Sequence, residues 1–215
     1  MDQLIKGGLV LVALLMGYMI FESFVYLSSF GSFVHLVSAQ TNATVTVLAT
    51  VTTSVTCNLS TTTTNFGTLV PSAVSISSPN VTTTVSCNPS GGCQVQIKGQ
   101  GNGTNGGLYN STANHLIPSP AAGFPATATL VAGTEGYGIQ AATTTAGSGV
   151  TLTLNSIYNQ TGDTVGKVST TPVILASSSQ PVANREVVVT HKAAISGLTP
   201  AGSYQDIISY DCVSN

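Results

Sequence analysis

Residues 41–60, TNATVTVLATVTTSVTCNLS, alternate with a period of two over a length that few folds can use. On the odd side stand Ala43, Val45, Val47, Ala49, Val51, Val55, Cys57 and Leu59, with Thr53 as the polar exception. On the even side stand Thr, Ser and Asn, with Leu48 as the apolar exception. Such alternation, β-branched and free of Gly and Pro, is that of a strand with one buried face. At about 3.3 Å per residue the stretch would span roughly 60 Å, far beyond the usual strand of about 3–10 residues. The pattern therefore divides into two parts. Val55–Leu59 is expected to be a core strand. Ala43–Val51 is expected to be an extension whose apolar edge needs a groove. That groove lies in another subunit or, if the strand bends at Thr52-Thr53, in its own sandwich.

The rest of the chain supports an all-β reading. Thr, Val and Gly are abundant after residue 40, Leu and Lys are scarce, and no Glu/Lys pairs at helical spacing occur. Charge is sparse, with five Lys+Arg against seven Asp+Glu and a net charge of −2. This offers no basic face for nucleic acid and no acidic tail. Ser and Thr supply the polar surface instead, which suits a packed assembly or glycan cover.

Residues 1–39 differ from everything that follows. After Lys6, residues 7–21 carry no charge; Glu22 interrupts, and residues 23–37 are again mostly apolar. Val37-Ser38-Ala39 fits the small-residue rule for signal-peptide cleavage before Gln40. The segment is also long enough for a retained membrane anchor, with Lys6 inside. A prepilin-type processing site at Lys6-Gly7-Gly8 lacks an acidic residue soon after it, since Glu22 comes too late. Each reading exports residues 40–215. The expected organisation is residues 1–39 as signal peptide or anchor, 40–52 as the extension, and 53–215 as one β-sandwich domain. The roughly 175 exported residues are enough for a single core.

Along that domain, Phe66–Val70, Val81–Cys87 and Cys93–Ile97 read as strands. Residues 99–107, GQGNGTNGG, read as a turn; they match no nucleotide-binding fingerprint. Residues 108–126, with prolines at 118, 120 and 125, read as loop. Short strands are expected over 127–132, 137–140, 150–154, 165–167 and 173–176, with a short helical turn within 133–149. Glu186–Ile195 and Ser203–Val213 read as the last strands, separated by a turn at Thr199–Gly202. Many short strands with frequent turn signals mean a β-sandwich or barrel.

Four cysteines, Cys57, Cys87, Cys93 and Cys212, all lie after residue 40. An even count in an exported chain reads as two disulfides, with three pairings open. No C-x-x-C spacing or nearby His supports zinc. Asn42, Asn58, Asn80, Asn102, Asn110 and Asn159 each open an N-x-Ser/Thr motif and are candidate glycosylation sites.

Catalysis has little to stand on. There is no Gly-x-Ser-x-Gly elbow and no His-x-x-x-His pair. His191, beside Lys192 in a strand, is expected to be an exposed polar position, and His115 a solvated loop residue. The carboxylates Glu135, Asp163, Glu186, Asp206 and Asp211 are scattered, and no acidic cluster supports calcium binding at Asp206 and Asp211. No catalytic residue, metal or cofactor is expected.

Four motifs, in order, resemble the spore coat protein U-like and chaperone–usher pilin domains. They are the alternating extension running into Cys57, Phe66-Gly67 followed by Pro71, Thr83-Thr84-Val85-Ser86-Cys87, and Pro200-Ala201-Gly202-Ser203-Tyr204-Gln205-Asp206. The resemblance implies an immunoglobulin-like Greek-key β-sandwich that lacks a strand, filled by a neighbour's extension. It implies Ala43, Val45, Val47, Ala49 and Val51 as donor positions and a Cys57–Cys87 disulfide. The pair Cys93 and Cys212 and the long region 100–165 fall outside that pattern. The expectation is thus a non-enzymatic, extracellular structural subunit that assembles with copies of itself by strand addition. The alternative is a monomeric, membrane-tethered, adhesin-like binding module.

Overall fold

The computed structural model describes residues 42–121 and 126–215, so the readings made for residues 1–39 lie outside the described residues. All regular structure among the described residues is β, and the pairings are antiparallel. Two sheets face each other in a sandwich-like arrangement.

The first sheet is built on one long strand, β13 (Val182–Ala194). Beside it lies β3 (Val81–Cys87), and β1 (Val55–Leu59) pairs with β3 at the sheet edge. On the other side follow β8 (Gly136–Thr143), β11 (Thr164–Gly166) and β7 (Thr127–Thr129). The short β2 (Ser75–Ile76) and β9 (Ser148–Gly149) also pair with β13. The second sheet runs β10 (Thr153–Leu154), β12 (Val173–Ser177), β4 (Cys93–Gly99), β14 (Ile208–Ser214). A separate hairpin pairs β5 (Gly107–Asn110) with β6 (His115–Pro118).

The alternation seen in the sequence is the cause of the layering. In β3, Val81, Thr83, Val85 and Cys87 are buried while Thr82, Thr84 and Ser86 are half-buried. In β4, Cys93, Val95, Ile97 and Gly99 are buried in the same rhythm. These faces meet Ile139, Val187, Val189 and Leu175, all fully buried, in one core. Each such side chain contributes about 1.5–3 kcal/mol of gross burial energy.

Several elements differ from expectation, each for a local reason. Phe66–Val70 is not a strand. Asn65 forms an isolated bridge with Ser78, then its side chain accepts the Gly67 amide at 2.7 Å and Gly67 turns to φ 67°. That Asx turn ends the pairing. Residues 107–118, read as loop, hold the β5–β6 hairpin. Asn110 Oδ1 closes its turn by accepting the amides of Thr112 and Ala113. The strand expected over 137–140 forms as the longer, mostly buried β8, residues 136–143, and the helical turn expected within 133–149 does not form. β13 begins four residues before the expected Glu186, with a bulge between Val182 and Arg185 where Asn184 sits at φ 54°. Arg185 secures it by donating to the carbonyls of Ala146, Gly149 and Val150. The last strand starts at Ile208, not Ser203, because Gln205 pairs instead with Tyr109.

A candidate strand-acceptor groove

The two sheets each end in an open edge on the same side of the sandwich, β1 in the first and β14 in the second. The registers fix the poles. Val55 lies opposite Cys87, and Ser214 opposite Cys93, at one pole; Leu59 lies opposite Thr83, and Ile208 opposite Gly99, toward the other.

Two disulfides hold this geometry, Cys57–Cys212 and Cys87–Cys93. The Cys57–Cys87 pairing implied by the family resemblance is therefore incorrect. The register explains why: Cys57 faces Val85, and Cys87 faces Val55, so the two cysteines are diagonal neighbours. Diagonal positions lie about 7–8 Å apart, too far for a bridge without moving backbone. Cys57 instead joins β1 to β14 across the two sheets, with Cα atoms 5.8 Å apart. Cys87–Cys93 closes the short crossover from β3 to β4. Two bridges fit an oxidising compartment.

Beyond Cys57–Cys212, toward the Leu59 and Ile208 pole, the edges part into a cavity of about 910 Å³. Residues 61–69 form one wall and 199–206 the other. Its floor is aromatic and polar. Tyr137 is buried, with Phe66 edge-on at 6.3 Å and the His191 ring stacked at 6.4 Å and 12°. His191, expected to be exposed, is only 4% exposed. It alternates inward with Val187 and Val189, which the sequence pattern of β13 carries but which its polar neighbours mask. Burial holds its imidazole down to about pKa 4, so it is neutral at neutral pH.

Three atoms of this region are buried without a hydrogen-bond partner: His191 Nδ1, the Tyr210 hydroxyl and Asp206 Oδ2. The other Asp206 oxygen accepts the amides of Gln100 at 2.9 Å and Gly101 at 2.8 Å. Burial raises the Asp206 carboxyl above its ordinary range against the lowering effect of those amides. Burial also raises Tyr137 and Tyr210, and for Tyr137 the neighbouring Asp206 and Tyr210 add to the effect.

The 199–206 wall is latched from outside. Thr199 Oγ1 donates to Glu135 Oε1, which also meets His115 Nε2 at 2.9 Å. His115 is therefore not a solvated loop residue: it lies half-buried in β6, with its ring edge-on to Tyr204 at 6.2 Å. Gly202, at φ 142°, presses against Asn110 where a Cβ would have no room. Nothing in the local sequence signals this latch, because its members are brought together only by tertiary pairing.

The extension is left unpaired. Residues 42–51 belong to no strand, and Val45, Val47, Leu48 and Val51 are 84–88% exposed. Its root is fixed at the pole opposite the cavity. Asn88 donates to the Thr52 carbonyl at 2.8 Å and accepts the Ser54 amide at 2.7 Å, continuing the β1 ladder with a side chain.

Of the candidate glycosylation sites, Asn42, Asn58, Asn80, Asn102 and Asn159 are exposed. Asn110 is 2% exposed and its oxygen is engaged in the hairpin turn, which excludes it as an acceptor in the folded chain. Among the described residues no group of three or more metal-ligating side chains forms a metal site. Asp206 and Asp211 do not share a site: Asp206 lines the cavity, whereas Asp211 points outward.

No protein-family model matches the chain, and neither a curated protein nor a solved structure is significantly similar to it.

Proposed function

We propose that the chain is a structural subunit of an extracellular, pilus-like fibre, in which the extension of one copy completes the sandwich of the next. The order β1-β3-β13-β8 in one sheet and β12-β4-β14 in the other supports an immunoglobulin-like sandwich lacking the strand that would follow β14. The observation that carries the reading is a complementary pair of open features. An aromatic-floored groove opens at one pole, and an exposed, alternating segment leaves from the other. Opposite poles favour a head-to-tail contact, which propagates as a filament where its rotation does not close a ring.

The exchange requires a close fit, because its gains and its ordering cost are of similar size. Burying each Val of the extension gains about 1.5–3 kcal/mol gross. Backbone pairing with the open edge of β14 adds to it, and ordering the extension subtracts about 1–2 kcal/mol per residue. Sparse charge fits a chain whose surface is partly covered by its neighbours. The chain carries out no catalysis in this reading and needs no cofactor.

The test is the mass of the oxidised full chain by light scattering, compared with a variant carrying Val45→Asp and Val47→Asp. Two buried carboxylates in the groove each cost several kcal/mol, so the variant is expected to be monomeric while the native chain forms oligomers. Oligomers that persist in the variant would contradict the reading, and monomers in both would favour a monomeric surface module that uses the cavity for a ligand.

A further inference from the structure

We infer that the Cys57–Cys212 bridge makes the groove blind, so that it accepts a segment of only about six residues from the extension of a second copy. This rests on the strand-acceptor reading and adds a length limit to it. A strand lying between β1 and β14 needs about 4.8 Å to each neighbour, roughly 9.6 Å between its flanks. At the bridge the flanking Cα atoms are 5.8 Å apart. No strand passes that level.

The cavity volume sets how much chain fits before that level. A residue in a packed sandwich occupies roughly 4.8 Å between strands, 10 Å between sheets and 3.3 Å along the chain, about 160 Å³. The cavity of about 910 Å³ therefore holds about six residues. Six residues of the extension present three inward positions, as in Ala43, Val45 and Val47. The remainder, down to the root held by Asn88, spans the gap between subunits. Leu48, the apolar exception on the outward side, falls at the end of such a segment.

The experiment uses the full-length Val45→Asp, Val47→Asp chain, whose groove its own extension cannot fill, and synthetic peptides of native sequence. One nested series covers residues 43–46, 43–48, 43–50 and 43–52, and a second is trimmed from the other end. Affinity is expected to rise by roughly tenfold per added residue pair up to about six residues, then to stay within about twofold. In a Cys57→Ser, Cys212→Ser background the rise is expected to continue past six. The series on the bridged protein decides by itself if that background does not fold. Affinity that keeps rising through ten residues with the bridge intact would overturn the length limit while leaving strand acceptance standing. If no peptide binds, both readings fall.

Discussion

Replacing Cys57 and Cys212 with serine is expected to lower the stability of the domain by about 5 kcal/mol, the largest effect of any local change. The bridge spans 155 residues, whereas Cys87–Cys93 spans six. In the chain-entropy account, the cost of closing a loop grows with the logarithm of its length, and the short bridge is worth only about 2 kcal/mol. The melting temperature should fall by roughly 10–20 °C without the long bridge and by roughly half of that or less without the short one. Calorimetry on the two double variants measures this. Equal losses would mean that the long bridge does not restrain the unfolded chain, and that β1 and β14 are held together mainly by their packing.

Acidification should destabilise the domain through His191. Its folded pKa of about 4 lies below the unfolded value of about 6.5, so the unfolded chain takes up the proton first. Stability from this group is intact above about pH 6.5 and declines as the pH falls toward 4, by about 3 kcal/mol in all. Asp206, which faces the same cavity, acts in the opposite sense. Its raised folded pKa makes the folded chain hold its proton longer, so acidification favours the fold through that group. The contribution of His191 is therefore read as a difference. Urea unfolding from pH 7.5 to 4 is compared between the Val45→Asp, Val47→Asp chain and the same chain with His191→Phe, which keeps a ring against Tyr137. The phenylalanine chain should lose the His191 share of the slope. Identical slopes would show that His191 is not buried in its neutral form.

What could be read from the sequence was local. Val55–Leu59 and Val81–Cys87 form as strands where their alternation placed them. The exposed extension carries the same alternation, and its apolar side finds no partner strand among the described residues. What could not be read depended on contacts between distant residues. His191 reads as a polar residue beside a lysine, and only the facing of β13 turns it inward, while Lys192 on the other face reaches Asp163 at 3.2 Å. The β5–β6 hairpin was hidden among prolines. Pro118, at the end of β6, loses little there, since strand ends tolerate a residue without an amide proton. The disulfide partners followed from register: one diagonal offset between Cys57 and Cys87 redirects both bridges and thereby sets where the groove ends.

The central claim, that one copy fills the groove of another, is tested most directly by a cross-link between two chains. One population carries Val47→Cys and the other Ile208→Cys, at the cavity wall, and the two are mixed under mild oxidation. A disulfide-linked dimer is expected in the mixture. It should be absent when the second population carries Ile174→Cys on the outward face of β12 instead. If the mixture stays uncoupled while the two cysteines placed in one chain bridge within that chain, the extension folds back into its own groove and the fibre account is wrong.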